Sequence, residues 1–136
     1  MSTKPLALPN TELYEQDFAA WATETARLLR EGRFREVDIE NVAEEIESMA
    51  GNQRRELLSR LTVLVHHLLK WTHQPEKRSG SWRSTIATQR AELLRLLKQS
   101  PSLRPAVSDA VREIYPDAVE EASAETGLAD EAFPQR

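Results

Sequence analysis

Three histidines, two of the three tryptophans and a run of cations fall in one short stretch, VHHLLKWTHQPEKRSGSWRSTI, residues 65–86. These residue types serve metal ligation, acid–base chemistry and the stacking of nucleic-acid bases. Spacing decides among them. On an α-helix each residue advances about 100° and about 1.5 Å. His66, Lys70 and His73 therefore share a face roughly opposite the leucines, where the two histidines are expected to be solvated. Lys70 stands between the two imidazoles, and its charge opposes a divalent cation. His66 and His73 are also two turns apart, about 10 Å. His67 lies at the border of the apolar face and has the better claim to a defined role: a hydrogen-bonded packing residue, a ligand or a titrating group. No His-Glu-x-x-His and no Glu-x-x-His occurs in the chain. Neither the zinc-protease nor the helix-bundle di-iron template is complete.

A second set of reactive residues lies upstream. Glu40, Glu44 and Glu47 are at i, i+4 and i+7 and line one flank of a helix. Like charges at that spacing repel by about 0.2–0.5 kcal/mol per pair. One arrangement is a solvated flank near a helix N-terminus, which the helix dipole favours. Another is a seam in which Glu44 or Glu47 meets a partly buried Arg90, with Gln89 completing the hydrogen bonds. The third is a catalytic carboxylate pair or a metal site built from Glu44, Glu47 and His67. In one straight helix Glu47 and His67 are about 30 Å apart. They could then meet only across a dimer or in a bent hairpin. No Gly-rich phosphate loop or serine nucleophile elbow is present.

From Lys70 to Arg104 there are eight basic residues against Glu76 and Glu92, while the acids gather elsewhere. Such a split can form a basic face for phosphates, and KRSGSWR offers an aromatic for stacking. Trp71 and Trp82 both fall on an apolar stripe, which predicts core anchors rather than stacking platforms.

The elements that must position these residues are helical. The chain has 4 glycines and no cysteine, and its runs are rich in Ala, Leu, Glu and Arg. A first helix is expected over Thr11–Glu31, with Pro9-Asn10 as start and Gly32 as stop. Tyr14, Phe18, Trp21, Thr25 and Leu28 form its inner face. A long second helix is expected from Asp38, its N-cap, to about His73. Its stripe is Ile39, Val42, Ile46, Met49, Gln53, Leu57, Leu61, Leu64, Leu68 and Trp71. Gly51-Asn52 either leaves it continuous, with a bend, or turns it into a hairpin. A third helix runs from about Trp82 to Gln99, burying Trp82, Ile86, Leu93, Leu96 and Leu97. After SPSLRP, where Ser100 or Ser102 can cap, a fourth carries Val107, Val111 and Ile114. Pro116 is expected to kink or divide it, and Thr126-Gly127 to end it. The fold class is all-α, a single-domain bundle of four to five helices over residues 1–136. Residues 1–10 would be an arm and 128–136 a loose or docked tail.

At 136 residues the chain suffices for one domain with a core. Its formal charge of −4 makes the surface as a whole no magnet for nucleic acid or anionic lipid. The absence of cysteine removes disulfides and thiolate chemistry. The most apolar run, LTVLVHHLLKW, is too short to span a bilayer, and no secretory signal opens the chain. A cytoplasmic protein is the expectation.

The pieces LYEQDFAAW (13–21), LLREGRFREVDIENVAEEIESM (28–49), HLLKW (67–71), QPEKRSGSWRSTIATQR (74–90), SPSLRP (100–105) and ETGL (125–128) resemble, in order, the domain of unknown function 29 family. The resemblance implies a small bacterial helical domain and carries no activity, cofactor or catalytic residue with it. It singles out Tyr14, Asp17, Trp21, Asp38, Asn41, Glu44, Glu45, Leu68, Lys70, Gln74, Pro75, Trp82, Gln89 and Arg90. Pro116 departs from the pattern, as does the chain's ending soon after Phe133-Pro134, where many relatives continue toward a cysteine and a tryptophan.

The expected work is binding, to a protein partner or to a second copy, with no cofactor and no membrane. The expected cluster is Glu44, Glu47, His67, Trp71, Gln74, Trp82, Gln89 and Arg90. Two rivals stand beside it. A metal-dependent enzyme or sensor needs Glu and His converging in one pocket. A nucleic-acid binder needs the arginines of the basic third helix exposed on one face rather than paired.

Overall fold

A computed structural model describes residues 10–134, which hold five α-helices joined by short 3-10 turns, with no strand among them. The all-α expectation is met. Of the expected arm only Asn10 is described, and it begins the first helix; the last two residues of the expected tail lie outside the described residues. Two compact units divide the chain, residues 1–50 and 51–136.

In the first unit the expected single helix is two, α1 (Asn10–Gln16) and α2 (Phe18–Arg30). Asp17 separates them because its carboxylate accepts from the Ala20 amide at 3.0 Å, and a residue that caps leaves helical backbone. Tyr14, Phe18 and Trp21 still meet edge-on or tilted, with ring centroids 4.8–5.9 Å apart. Trp21, Thr25 and Leu28 are buried; Phe18 is not. Gly32 ends α2 with φ +73°, a left-handed conformation that suits glycine. Asp38 then caps α3 (Ile39–His73), taking the Asn41 amide at 3.3 Å and the Asn41 side chain at 2.6 Å. The Tyr14 hydroxyl donates to Glu45 on the first turns of α3. That hydrogen bond pushes the phenol up to about 12, helped by burial and by the nearby Glu45 and Glu44 charges.

α3 is one helix of 35 residues, unbroken at Gly51-Asn52. The second unit holds its later turns with α4 (Gly80–Gln99) and α5 (Val107–Thr126). The core contains Leu57, Leu61 and Leu69 of α3, Leu93 and Leu96 of α4, and Ala110, Ile114, Ala118, Val119 and Ala122 of α5. On α5, Ala110, Ile114, Ala118 and Ala122 recur at four-residue steps, a buried ridge of three alanines and one isoleucine against which a neighbouring helix packs. Pro116 does not divide α5, contrary to expectation. It sits on the exposed side, where one lost backbone hydrogen bond is outweighed by the buried ridge on the other side. Ser79 caps α4, accepting from the Trp82 amide at 3.2 Å. The SPSLRP segment makes a 3-10 turn, Pro101–Ala106, and the Ser100 hydroxyl bonds Gln53 instead of capping. Gly127, at φ +78°, ends α5. The tail is docked: Phe133 is buried, its ring 5.1 Å from that of His73.

The expected stripe of α3 is corrected in both halves. Ile39, Ile46 and Met49 are exposed, at 61 %, 59 % and 62 %. In the second unit Leu64, Leu68 and Trp71 are only half-buried, while Leu69, His66 and Lys70 are buried.

Leu96→Ala removes a fully buried side chain and is expected to lower the unfolding free energy by about 2–5 kcal/mol, whereas Leu94→Ala on the exposed side changes it by less than about 0.5 kcal/mol. Equal effects in urea titration would contradict this placement of α4. Pro116→Ala restores one amide in α5 and is expected to raise stability by about 1–3 kcal/mol in the same assay.

Candidate functional site

The buried side of α3's later turns carries charge. His66 and Lys70, one helical turn apart, are only 5 % and 4 % exposed, and for His66 this is contrary to the expectation that it is solvated. The reason lies on α5, where Glu121 and Glu125 share the same four-residue spacing. Lys70 Nζ donates to Glu125 Oε1 at 2.6 Å. His66 Nδ1 lies 3.3 Å from Glu121 Oε1, and Nε2 lies 3.4 Å from Glu125 Oε1 without hydrogen-bond geometry. A lysine can be buried when a carboxylate meets it, and here the Trp82 ring adds a second contact, 4.7 Å from Nζ. Lys70 holds the Glu125 carboxyl below its usual range. Burial holds the His66 imidazole below its ordinary 6.5; Lys70 and His67 act in the same direction, and Glu125 and Glu121 oppose them.

His67 is half-buried and donates from Nδ1 to the Val63 carbonyl, 2.9 Å away, one turn earlier on its own helix. Its ring centroid lies 4.8 Å from that of His66, the two planes tilted by 51°. Glu44 and Glu47 are exposed, on the part of α3 that belongs to the first unit. Neither makes an ion pair or hydrogen bond among the described residues. No group of three or more His, Asp or Glu side chains there is arranged to hold a metal.

Gln89 accepts from Arg60 at 3.2 Å, within a network that joins α3 to α4. Arg60 meets Glu56 at 2.8 Å and Glu92 at 3.6 Å, and Arg95 meets Glu56 at 2.9 Å and Glu92 at 2.8 Å. This seam takes Arg60 and Arg95, not Arg90. Arg90 is exposed and has no ion pair or hydrogen bond among the described residues, against the expectation that it is partly buried and paired.

The free arginine belongs to a different surface. Leu68, Trp71, Arg83, Ile86 and Arg90 line a cavity of about 330 Å³ between α3 and α4. A second of about 330 Å³ is lined by Trp71, Arg78, Ser79, Gly80 and Arg83. Trp71 and Arg83 wall both, so the two form one groove. Arg78 lies over the Trp71 ring at 4.8 Å and donates from Nε to the Trp71 carbonyl at 2.8 Å; Arg83 lies 5.9 Å from the same ring. Arg78, Arg83 and Arg90 have no carboxylate partner among the described residues.

Of the eight expected residues, the structure brings Trp71 and Arg90 together. Trp82 reaches the Lys70 cluster instead, and Gln74 is buried where α3 ends, its amide bonded to the Lys70 carbonyl at 2.9 Å. Trp71 and Trp82 are half-buried, not core anchors. Leu68, Arg78, Arg83 and Ile86 were not in the expected set. The charge excess of this stretch pointed to the arginines. The cluster of Lys70 with His66 had its own signal, a His/Lys pair and a Glu/Glu pair at matching four-residue spacing.

These features describe an all-α protein with a buried ionic cluster and an open groove of arginine, tryptophan and aliphatic side chains. None of its helices among the described residues is long and apolar enough to cross a membrane. The chain belongs to the family described as domain of unknown function DUF29, whose model matches residues 13–136. No curated protein and no solved structure matches the chain.

The low-lying His66 has a consequence for stability. The unfolded chain binds that proton more readily than the folded one, so the contribution is complete above about pH 6.5 and is lost as pH falls below it. The Glu125 contribution is lost in the same direction but lower, beginning near the ordinary 4.5. Unfolding free energy is expected to drop between pH 7 and pH 5, and His66→Gln to flatten that drop. An unchanged slope in the variant assigns the effect to another group.

Proposed function

We propose that this chain is a protein-binding module whose docking surface is the Trp71 groove, and that the groove takes an acidic segment anchored by an aliphatic or aromatic side chain. One observation carries the proposal: Arg83 and Arg90 border an apolar cavity without a carboxylate to neutralise them. Exposed guanidinium groups recognise carboxylates by paired hydrogen bonds. Leu68, Ile86 and Trp71 supply a floor where an anchor is desolvated, the pattern of an interface hot spot.

Binding suits the groove better than catalysis does. Neither cavity is lined by a carboxylate or a histidine, and the Ser79 hydroxyl is engaged in capping α4. Arginines also suit phosphates, so nucleic acid is the natural competitor. Two features favour the peptide. The aliphatic floor has no use in backbone phosphate binding, and the Trp71 ring already carries the Arg78 guanidinium instead of lying open for a base. The net charge of −4 weighs the same way.

The test is calorimetric titration of the full chain with a synthetic Glu/Leu peptide of about twelve residues, beside single-stranded DNA of similar length. Expected is saturable peptide binding that weakens about tenfold or more in Trp71→Ala and in the Arg83→Glu/Arg90→Glu double variant. Peptide binding that ignores both changes overturns the proposal. Tighter binding of DNA, with a steep loss on adding salt, replaces it with the nucleic-acid module.

A further inference from the structure

The two ends of the Trp71 groove differ. Arg83, Ile86 and Arg90 fall within about 60° of one another around α4, and with Leu68 and Trp71 of α3 they line the apolar cavity. α3 ends at His73 and α4 begins at Gly80, so the connection, residues 74–79, bounds the groove at one end. At that end Arg78, Ser79, Gly80 and Arg83 line the second cavity together with Trp71. Arg78 is fixed there, because its Nε donates to the Trp71 carbonyl and its guanidinium lies over the Trp71 ring. Its two terminal nitrogens have no partner among the described residues, and Arg83 has no carboxylate there. Arg90 lies two turns, about 10 Å, further along α4.

A segment laid along the groove must stop at the connection or turn away from it. A chain that stops there brings a terminal charge. An N-terminus carries an ammonium group, which Arg78 and Arg83 repel. A C-terminus carries a carboxylate, which guanidinium groups bind by paired, charge-assisted hydrogen bonds. The apolar cavity adjoins this end, since Trp71 and Arg83 wall both cavities. One terminal residue can therefore place its carboxylate in the second cavity and its side chain in the first. We propose that the groove captures the C-terminus of a partner protein whose last residue is apolar. Its terminal carboxylate sits between Arg78 and Arg83, and its last side chain lies on Leu68, Trp71 and Ile86. An extended chain covers about 10 Å in three residues, so an acidic side chain three positions before the end meets Arg90. This rests on the groove being a docking surface for acidic segments, and it states which segment: the end of a chain, acidic three positions before an apolar last residue.

The test is calorimetric titration of the full chain with a Glu/Leu peptide ending in Glu-x-x-Leu. It is made in three forms: the free acid, the C-terminal amide, and the acid extended past the leucine by Gly-Ser-Gly-Ser. The extended form has the same net charge as the first, with its terminal carboxylate displaced. The free acid is expected to bind about tenfold or more tighter than either of the others. Arg78→Met keeps an apolar stem over Trp71 and removes the charge. It is expected to lower the affinity for the free acid to that for the extended form and to leave the extended form unchanged, with circular dichroism checking that the variant remains helical. Equal binding of the three forms overturns the capture of a terminus and keeps the groove as a docking surface for internal acidic segments. A preference for the free acid that survives both Arg78→Met and Arg83→Met overturns it as well, since the terminal carboxylate is then held elsewhere. Binding of none of the three overturns the groove as a docking surface and the capture of a terminus together.

Discussion

Leu57, Leu61 and Leu69 are buried along a line of four-residue steps that includes half-buried Val65 and His73. Four residues advance a helix by slightly more than a full turn, so the line drifts around α3 as it climbs. This drift governs the second unit. It carries the buried side away from Leu68 and Trp71 and toward His66 and Lys70. The former pair is left as the wall of an open groove, and the latter is pressed against α5. An alternating step of three and four would do the reverse, placing Trp71 in the core and the cations in water. The choice between the two is made by what packs opposite: the alanine ridge of α5 follows the same four-residue step, and ridges of one kind interlock.

Burying Lys70 and His66 obliges α5 to supply charge at the right height, and Glu121 and Glu125 do so. Both glutamates are about half-exposed. The cluster is therefore buried on the α3 side and wet on the α5 side. Water softens the cost of desolving the ions and also weakens their attraction. Its main product is register: only one height of α5 against α3 gives Lys70 its carboxylate while Trp82 covers the same amino group. The Trp82 contact brings α4 into the same arrangement, so one ammonium group reports on three helices.

Much of the architecture was legible because it depends on local chemistry. Asp38 and Gly32 mark ends by their own side chain or its lack, and the 35-residue helix survives Gly51-Asn52 because a continuous pattern on both sides outlasts a local weakness. Asp17 was missed because a capping aspartate and a helical surface aspartate look alike until the backbone turns. Pro116 misled in the opposite sense, since packing across α5 is invisible to local propensity. The site was less legible for the same reason. A stripe of Leu57, Leu61, Leu64, Leu68 and Trp71 is as regular as the one that is buried, and nothing within α3 ranks them. The partners on α5 rank them, and these lie about 50 residues away in sequence. Arg90 was expected to meet a carboxylate across the seam, and among the described residues none stands beside it; Arg60 and Arg95 occupy the seam.

Phe133 fills the core of the second unit beside His73, a residue that leaves the ribosome about 60 residues earlier. At about 5–20 residues per second, the later turns of α3 wait several seconds of synthesis for the side chain that closes over them. During that interval Leu57, Leu61 and Leu69 are wet and α5 is incomplete or absent. The first unit has no such dependence, because its aromatic cluster of Tyr14, Phe18 and Trp21 comes from one contiguous stretch of chain. Biogenesis is thus staged: an early pair of short helices with their aromatic cluster, then a long interval in which a nascent amphipathic helix is open to chaperones, then closure by Phe133.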